Sequence, residues 1–137
     1  MILFDNSLIK LNYSAATDIL EVAYPDLHGY LLTEIKNSID ALVENVRNYD
    51  VKKLLLDSSN TIISVSEQES REIASYLAAG LIQTRLRKLA RIQSPRSAVE
   101  NTAQNNIKHI KNTGLLPFEL LNFSNKAEAI EWLKNQN

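Results

Sequence analysis

Apolar and polar residues recur with two different periods along this chain, and the two periods predict alternating strands and helices. Residues 9–13 alternate at every second position, as half-buried strands do, and residues 19–24 predict a second strand that Pro25 ends. The short interval between them predicts an antiparallel hairpin. Residues 2–4 either extend the first of these strands or add a short one. Residues 51–57 contain three consecutive leucines, which predicts an inner strand that is buried on both faces.

Four other segments repeat at every third or fourth residue, and we expect helices over residues 31–48, 66–87, 94–112 and 126–134. The first is the clearest, because apolar residues recur on one of its faces: Ile35, Ile39, Leu42, Val43 and Val46. In the second, Gly80 lies on the inner face, although glycine costs about 1 kcal/mol relative to alanine in a helix interior. We expect a close approach of this helix to the sheet to compensate.

Short polar signatures mark where three of these helices begin. Ser66 and Glu69 match the Ser-x-x-Glu capping box, so we expect Ser66 to cap the second helix. Ser94 followed by Pro95 predicts the start of the third helix, with serine as the cap and proline at the first helical position. Ser124 is expected to cap the last helix.

Two further strands are expected over residues 88–93 and 118–123, which completes the order β-β-α-β-α-β-α-β-α. Strands that alternate with helices indicate a largely parallel sheet with right-handed crossovers. The predicted fold is therefore a single α/β domain over residues 1–137, with a mixed, mostly parallel sheet, an N-terminal antiparallel hairpin and flanking helices.

Composition narrows the functional classes. The chain has 137 residues, a net charge of -1 and no cysteine. The charge argues against a general nucleic-acid binder, and the absence of cysteine removes disulfides and thiolate metal sites. The N-terminal residues lack the features of a signal peptide, and no stretch is apolar enough to span a membrane, so we expect a cytoplasmic protein without a transmembrane segment.

The loop that follows the leucine-rich strand is rich in hydroxyl groups. It contains Ser58, Ser59, Ser64 and Ser66, and Glu67 opens the next helix. In a parallel sheet, the loops at the carboxyl ends of the strands form the crevice in which ligands bind. We therefore expect this segment, residues 58–66 and hereafter the rim loop, to be a partner-binding or switch surface.

Three patterns together resemble a known family: Tyr-x5-Ile-x2-Val from Tyr13 to Val22, the strand at residues 51–57, and Phe123-x8-Trp132-Leu133. The chain is similar to STAS-like domains of the anti-sigma-factor antagonist group (SpoIIAA-like), and most of all to an uncharacterised bacterial branch of it. The resemblance implies a mixed sheet flanked by helices and a role in protein–protein recognition.

In the antagonists, a serine at the start of the helix after the third strand is phosphorylated and releases a partner. Ser66 falls nearest that position, but this chain reads Val65-Ser66-Glu67-Gln68 where the antagonists have Asp-Ser-Ser-Gly. A structural cap therefore competes with the phosphorylation site as the role of Ser66. The helix dipole would favour an added phosphate there, whereas Glu67 would repel it.

Other groups offer weaker signals. Arg85, Arg87, Lys88 and Arg91 are the densest basic cluster, which is either a solvated helix end or a patch for an acidic partner, a phosphorylated ligand or a membrane surface. No metal-binding motif and no glycine-rich phosphate loop occur, so we expect neither metal nor cofactor.

Two histidines and one apolar stretch complete the set. His28 is expected in an exposed loop and His109 on a polar helix face, so neither provides a base for serine catalysis. The apolar residues between hairpin and first helix either close the core or line a small cavity: Tyr24, Leu27, Tyr30 and Leu31.

Two functions fit these observations. The first is a non-enzymatic, STAS-like regulatory module that binds another protein. The alternative is a carrier or binding domain for a small apolar or nucleotide-like ligand. A homodimer is compatible with either one, provided that an apolar edge or helix face is exposed.

Overall fold

The computed structural model describes residues 1–135, apart from the side chain of Tyr30. Its strands are β1 (Ile2–Asp5), β2 (Lys10–Ser14), β3 (Ile19–Ala23), β4 (Leu27–His28), β5 (Lys53–Asp57), β6 (Ile63–Ser64), β7 (Lys88–Ile92) and β8 (Glu119–Phe123). Its helices are α1 (Leu32–Asn48), α2 (Glu67–Ile82), α3 (Ser97–Lys111) and α4 (Lys126–Lys134), and a 3-10 turn (Gly29–Leu31) precedes α1.

The main sheet has the order β1-β2-β3-β5-β7-β8. Strand β2 is antiparallel to both of its neighbours, β1 and β3, and the last three strands join β3 in parallel. This confirms the predicted α/β fold with its mixed sheet. Strand β5 lies between β3 and β7, and its Leu54 and Leu55 are fully buried, so the inner position predicted for the three leucines is confirmed.

Side chains alternate between the two faces of the sheet, and each face has its own core. On one face, Leu54, Leu56 and Leu89 belong to the large cluster that includes the apolar sides of α1 and α2. On the other face, Leu55 and Ala90 pack with residues of α4 in a smaller cluster. Helix α3 packs against α2 on the first face, and its position there creates the site described below.

The N-terminal residues follow one of their two predicted alternatives, and the rim loop forms more regular structure than expected. Residues 2–4 do not extend β2 but form most of the separate strand β1, which pairs with it. The rim loop contains β6, which pairs in parallel with β4 in a small second sheet. The β4–β6 ladder joins residues far apart in the chain, so local periodicity does not show it.

Two helix boundaries and one capping residue differ from the predicted ones. Helix α2 ends at Ile82 rather than near residue 87. Helix α3 begins at Ser97 rather than at Ser94–Pro95, because the Ser94 hydroxyl accepts a hydrogen bond from the Arg96 amide in a turn before the helix. Helix α4 is capped by Asn125, whose side chain accepts from the amide of Glu128, and not by the neighbouring Ser124. Serine and asparagine are comparable caps, so the sequence pattern does not separate adjacent candidates.

None of the helices within residues 1–135 combines the length and apolar character needed to cross a membrane. The predicted absence of a membrane-spanning helix therefore holds for this part of the chain.

Candidate functional site

The carboxyl ends of four neighbouring strands present polar side chains on the face that α2 and α3 cover. Arg91 of β7 and Asn122 of β8 are adjacent across the sheet, and Arg91 is in turn adjacent to Leu56 of β5. Tyr24 and Ser58 directly follow β3 and β5, and the Tyr24 amide donates to the carbonyl of Asp57 at 2.8 Å. These four polar residues are called the polar row. This is the edge of a parallel sheet at which ligand sites occur, and the rim loop borders it.

An apolar cavity of about 90 Å³ lies below this polar row, between α2, α3 and the sheet. Its walls are mostly aliphatic, and they include Ala74 and Ala78 from α2, Val99, Ala103 and Ile107 from α3, and Leu89 from β7. The three α3 residues, Val99, Ala103 and Ile107, are only half-buried. The inner face of α3 is therefore the wall of a cavity and not a tight helix–sheet interface.

Arg91 is the charged residue that lines this cavity, and a carboxylate from α3 compensates its charge. The guanidinium donates to both oxygens of Glu100, at 2.8 and 2.9 Å, and also to Oδ1 of Asn122 at 3.1 Å. Such bidentate pairs are the strongest hydrogen-bonded ion pairs in proteins. Because Arg91 is buried, the pair ties α3 to the sheet at the end where the polar row lies.

The ionised form of Glu100 is strongly supported. Burial of this carboxyl opposes ionisation, but hydrogen bonds from Arg91, Gln104 and the Ser94 amide outweigh it, so that the pKa of Glu100 is lowered. The Gln104 side chain donates at 2.6 Å and the Ser94 amide at 2.8 Å. The carboxylate is therefore engaged from three directions before any ligand arrives.

Two other polar groups at the cavity are also paired. Asn106 of α3 is buried, and its amide donates to the hydroxyl of Ser70 on α2 at 3.1 Å. The Thr61 hydroxyl donates to the carbonyl of Tyr24 at 3.0 Å. Both bonds hold elements around the cavity at fixed positions.

Two hydroxyls at the polar end are different. Those of Tyr24 and Ser58 both line the cavity, and neither forms a hydrogen bond with any residue that the structure describes. Ser58 is only 4% exposed. Burial raises the pKa of Tyr24, and the nearby positive charge of Arg91 opposes that effect only in part, so the phenol is neutral and able to donate.

The structure separates the predicted rim-loop residues into two groups. Ser58 faces the cavity, whereas the Ser59 hydroxyl donates to Asp57 at 2.6 Å in a local turn. Ser64, Ser66 and Glu67 are exposed. The predicted capping box is present: the Ser66 hydroxyl accepts from the Glu69 amide, and Glu69 accepts from the Ser66 amide, both at 3.1 Å.

The four predicted basic residues do not form one patch. Arg91 is buried in its pair with Glu100, and Lys88 is buried on the opposite face, where its ammonium donates to the Trp132 carbonyl at 3.0 Å and lies over the Trp132 ring. Strand alternation along β7 causes this separation. Arg85 and Arg87 remain exposed, beyond the end of α2.

The predicted apolar stretch divides between the two roles proposed for it. Leu27 is fully buried in the core and Leu31 packs against it, so these residues close the core. Tyr24 instead lines the cavity. The Tyr30 side chain lies outside the described part of the structure.

The histidines lie apart from the cavity. His109 is exposed on α3, and His28 is in β4, opposite Ser64 of β6, rather than in a loop. Among residues 1–135, no cluster of three histidine, aspartate or glutamate side chains is arranged to hold a metal ion.

Glu100, Ser70 and Asn106 received no functional role from the sequence. Each lies on a helix whose periodicity shows which face is apolar but not which polar residue is enclosed. The alternation Leu89–Ala90–Arg91–Ile92 was the available signal for Arg91, since it places Arg91 on the inner face with Leu89.

Comparisons of the chain with models of known protein families, with curated proteins and with solved structures gave no match. The class that the fold and site define is therefore an α/β domain with an apolar cavity at the carboxyl edge of its sheet. The resemblance to STAS-like domains stays a prediction.

Proposed function

We propose that the protein is a non-enzymatic binding domain that holds a small apolar molecule in the cavity between α2, α3 and the sheet. The cavity itself is the observation that supports this function. Protein interiors are packed like organic crystals, with few voids larger than a water molecule. One water needs only about 10–15 Å³ of such space, and this cavity offers about 90 Å³.

The walls indicate what the cavity would hold. Apolar cavities do not hold water well, because a water molecule needs two to four polar partners. The aliphatic side chains from α2, α3 and β7 that line the cavity supply no polar partner for water. A ligand with a hydrocarbon body would regain the contacts that α3 and the sheet do not make with each other.

Two neighbouring alanines of α2 provide the test. Ala78 lines the cavity, and Ala79 is exposed on the same helix. We expect Ala78→Leu to fill part of the cavity and remove a ligand that the wild-type protein and Ala79→Leu retain. Native mass spectrometry of each protein, purified from the host of the natural gene, measures this. A wild-type protein without added mass, or equal retention by Ala78→Leu, would contradict the proposal.

A second function, the STAS-like regulatory module, is favoured by the exposure of the rim loop. Ile62 is 43% exposed there, next to the accessible Ser64 and Ser66. An apolar residue flanked by hydroxyls at the sheet edge suits a contact with another protein, and we propose the cytoplasm as its location. The two functions are compatible, because the same rim borders the cavity.

The module function is tested by recovery of a stoichiometric protein partner on the immobilised chain. Ile62→Lys should abolish recovery, whereas Glu72→Lys on the exposed side of α2 should not. A phosphorylation switch at Ser66 further predicts that Ser66→Asp releases the partner. The switch is excluded if Ser66→Asp binds normally and Ser66→Ala loses only the ~1 kcal/mol of the cap.

A further inference from the structure

The polar end of the cavity contains hydrogen-bonding capacity that the protein does not use. The hydroxyls of Tyr24 and Ser58 lie at the ends of neighbouring strands β3 and β5, and both border the cavity without a partner among the described residues. Their backbones are held firmly, since the Tyr24 amide donates to Asp57 and the Ser58 amide to Ile92. No described protein group competes for these two donors, so a bound molecule that supplies an acceptor would gain affinity here.

The charge at the same end is already used. Arg91 and Glu100 neutralise each other through two hydrogen bonds, and Gln104 and the Ser94 amide hold the carboxylate in place. A ligand carboxylate would have to displace Glu100 and leave that partly buried charge without its counterion. Leaving one member of such a pair uncompensated is strongly unfavourable.

We infer that the cavity binds an uncharged, mainly hydrocarbon molecule with one hydrogen-bond-accepting oxygen, such as a ketone or an ester. The hydroxyls of Tyr24 and Ser58 donate to this oxygen, and the Arg91–Glu100 pair excludes carboxylates. This inference rests on the proposed binding function and adds the ligand's chemical class. A site that hydrogen-bonds one ligand oxygen discriminates against analogues that lack it.

Three probes of similar shape test the inference: pentan-2-one, pentane and pentanoate. Binding is followed by amide chemical shifts in two-dimensional NMR at pH 7. We expect pentan-2-one to bind about tenfold more tightly than pentane, the change expected for one good hydrogen bond, and pentanoate not to bind. Tyr24→Phe combined with Ser58→Ala should remove the preference for the ketone, whereas Tyr49→Phe, at an exposed tyrosine outside the cavity, should keep it.

A gain of binding provides the sharper test. Glu100→Gln removes the carboxylate that pairs with Arg91, so this variant should bind pentanoate. The affinity advantage of pentan-2-one over pentanoate should then be lost. Glu72→Gln, at an exposed position on α2, should behave as the wild type. If Glu100→Gln does not fold, the comparison of wild-type protein with the Tyr24→Phe, Ser58→Ala variant still decides the inference.

The outcomes separate this inference from the proposed function. If Ala78→Leu abolishes pentan-2-one binding but the hydroxyl variants keep the ketone preference, the cavity binds ligands and the inferred class is wrong. Tight binding of pentanoate by the wild-type protein also overturns the class. If pentan-2-one binds equally well to Ala78→Leu, the proposed site is wrong as well.

Discussion

At the scale of single residues, the contact between Gly80 and Val43 sets the distance between two helices. A Cβ built on Gly80 of α2 would lie 2.6 Å from Cγ2 of Val43 on α1, well inside van der Waals contact. The close approach predicted for this glycine is therefore one of helix to helix and not of helix to sheet. Glycine is needed here for its missing side chain, since the helical backbone would accept alanine.

Gly80→Ala is expected to destabilise the protein by about 1–3 kcal/mol, despite the better helix propensity of alanine. Valine is stiff at χ1, so the side chain of Val43 does not rotate away easily. Urea unfolding measures the change. In a Val43→Ala background the same substitution should become neutral or stabilising, and a penalty of equal size in both backgrounds would contradict the steric explanation.

At the scale of elements, the Arg91–Glu100 pair joins α3 to β7. Helix α3 lies over a cavity and lacks close packing against the sheet there. This pair and the Asn106–Ser70 hydrogen bond therefore hold α3 in position. Because the pKa of Glu100 is lowered in the folded protein, its contribution to stability is present above the unfolded value near 4.5. It is lost as the pH falls through the lowered folded pKa.

Glu100→Gln should therefore cost about 3 kcal/mol of the free energy of unfolding at pH 7, and this difference from the wild type should shrink below about pH 4.5. Urea unfolding of both proteins between pH 7 and pH 3 checks this. The other carboxyls titrate in both proteins, so their contributions cancel in the difference between the two free energies of unfolding. The control is Glu72→Gln, whose difference from the wild type should be small throughout. If the difference in free energy of unfolding between Glu100→Gln and the wild type does not change with pH, the role of the ionised carboxylate is refuted.

At the scale of the whole molecule, the two faces of the sheet are covered unequally. Three helices lie on one face, and within residues 1–135 α4 is the helix that covers the other. Leu133 and Ala129 of α4 are fully buried against Leu55 and Ala90. Lys88 fastens the end of α4 through the Trp132 carbonyl and ring. The edge strands β1 and β8 each pair with one strand of the described sheet and leave their outer edges unpaired there, and dimerisation at those edges stays a prediction.

Leu133→Ala is expected to lower the free energy of unfolding by about 2–5 kcal/mol, because it opens a cavity in the smaller core. Lys134→Ala changes the adjacent exposed residue and should stay within about 0.5 kcal/mol of the wild type. Thermal unfolding of the two variants measures the contrast. Equal, small effects would show that α4 contributes little to the stability of this face.

Periodicity and local chemistry determined most of the fold. The three leucines of β5 predicted an inner strand, and Ser66 with Glu69 predicted the start of α2, because neighbours along the chain decide burial periods and caps. The start of α3 at Ser94 and the capping of α4 by Ser124 were wrong. Ser94 accepts a hydrogen bond in a turn before α3, and Asn125, an equally suitable cap, takes the place of its neighbour Ser124.

Tertiary structure alone decided the site. The sequence determined that polar residues follow the strands. It did not determine that Arg91 pairs with Glu100, or that Lys88 of the same strand contacts Trp132 on the opposite face of the sheet. Those pairings depend on how far α3 stands from the sheet and on which face each strand residue takes in the final register. A cavity is a property of packing between distant segments, so no local pattern in Tyr24, Ser58 or Ala78 encodes it.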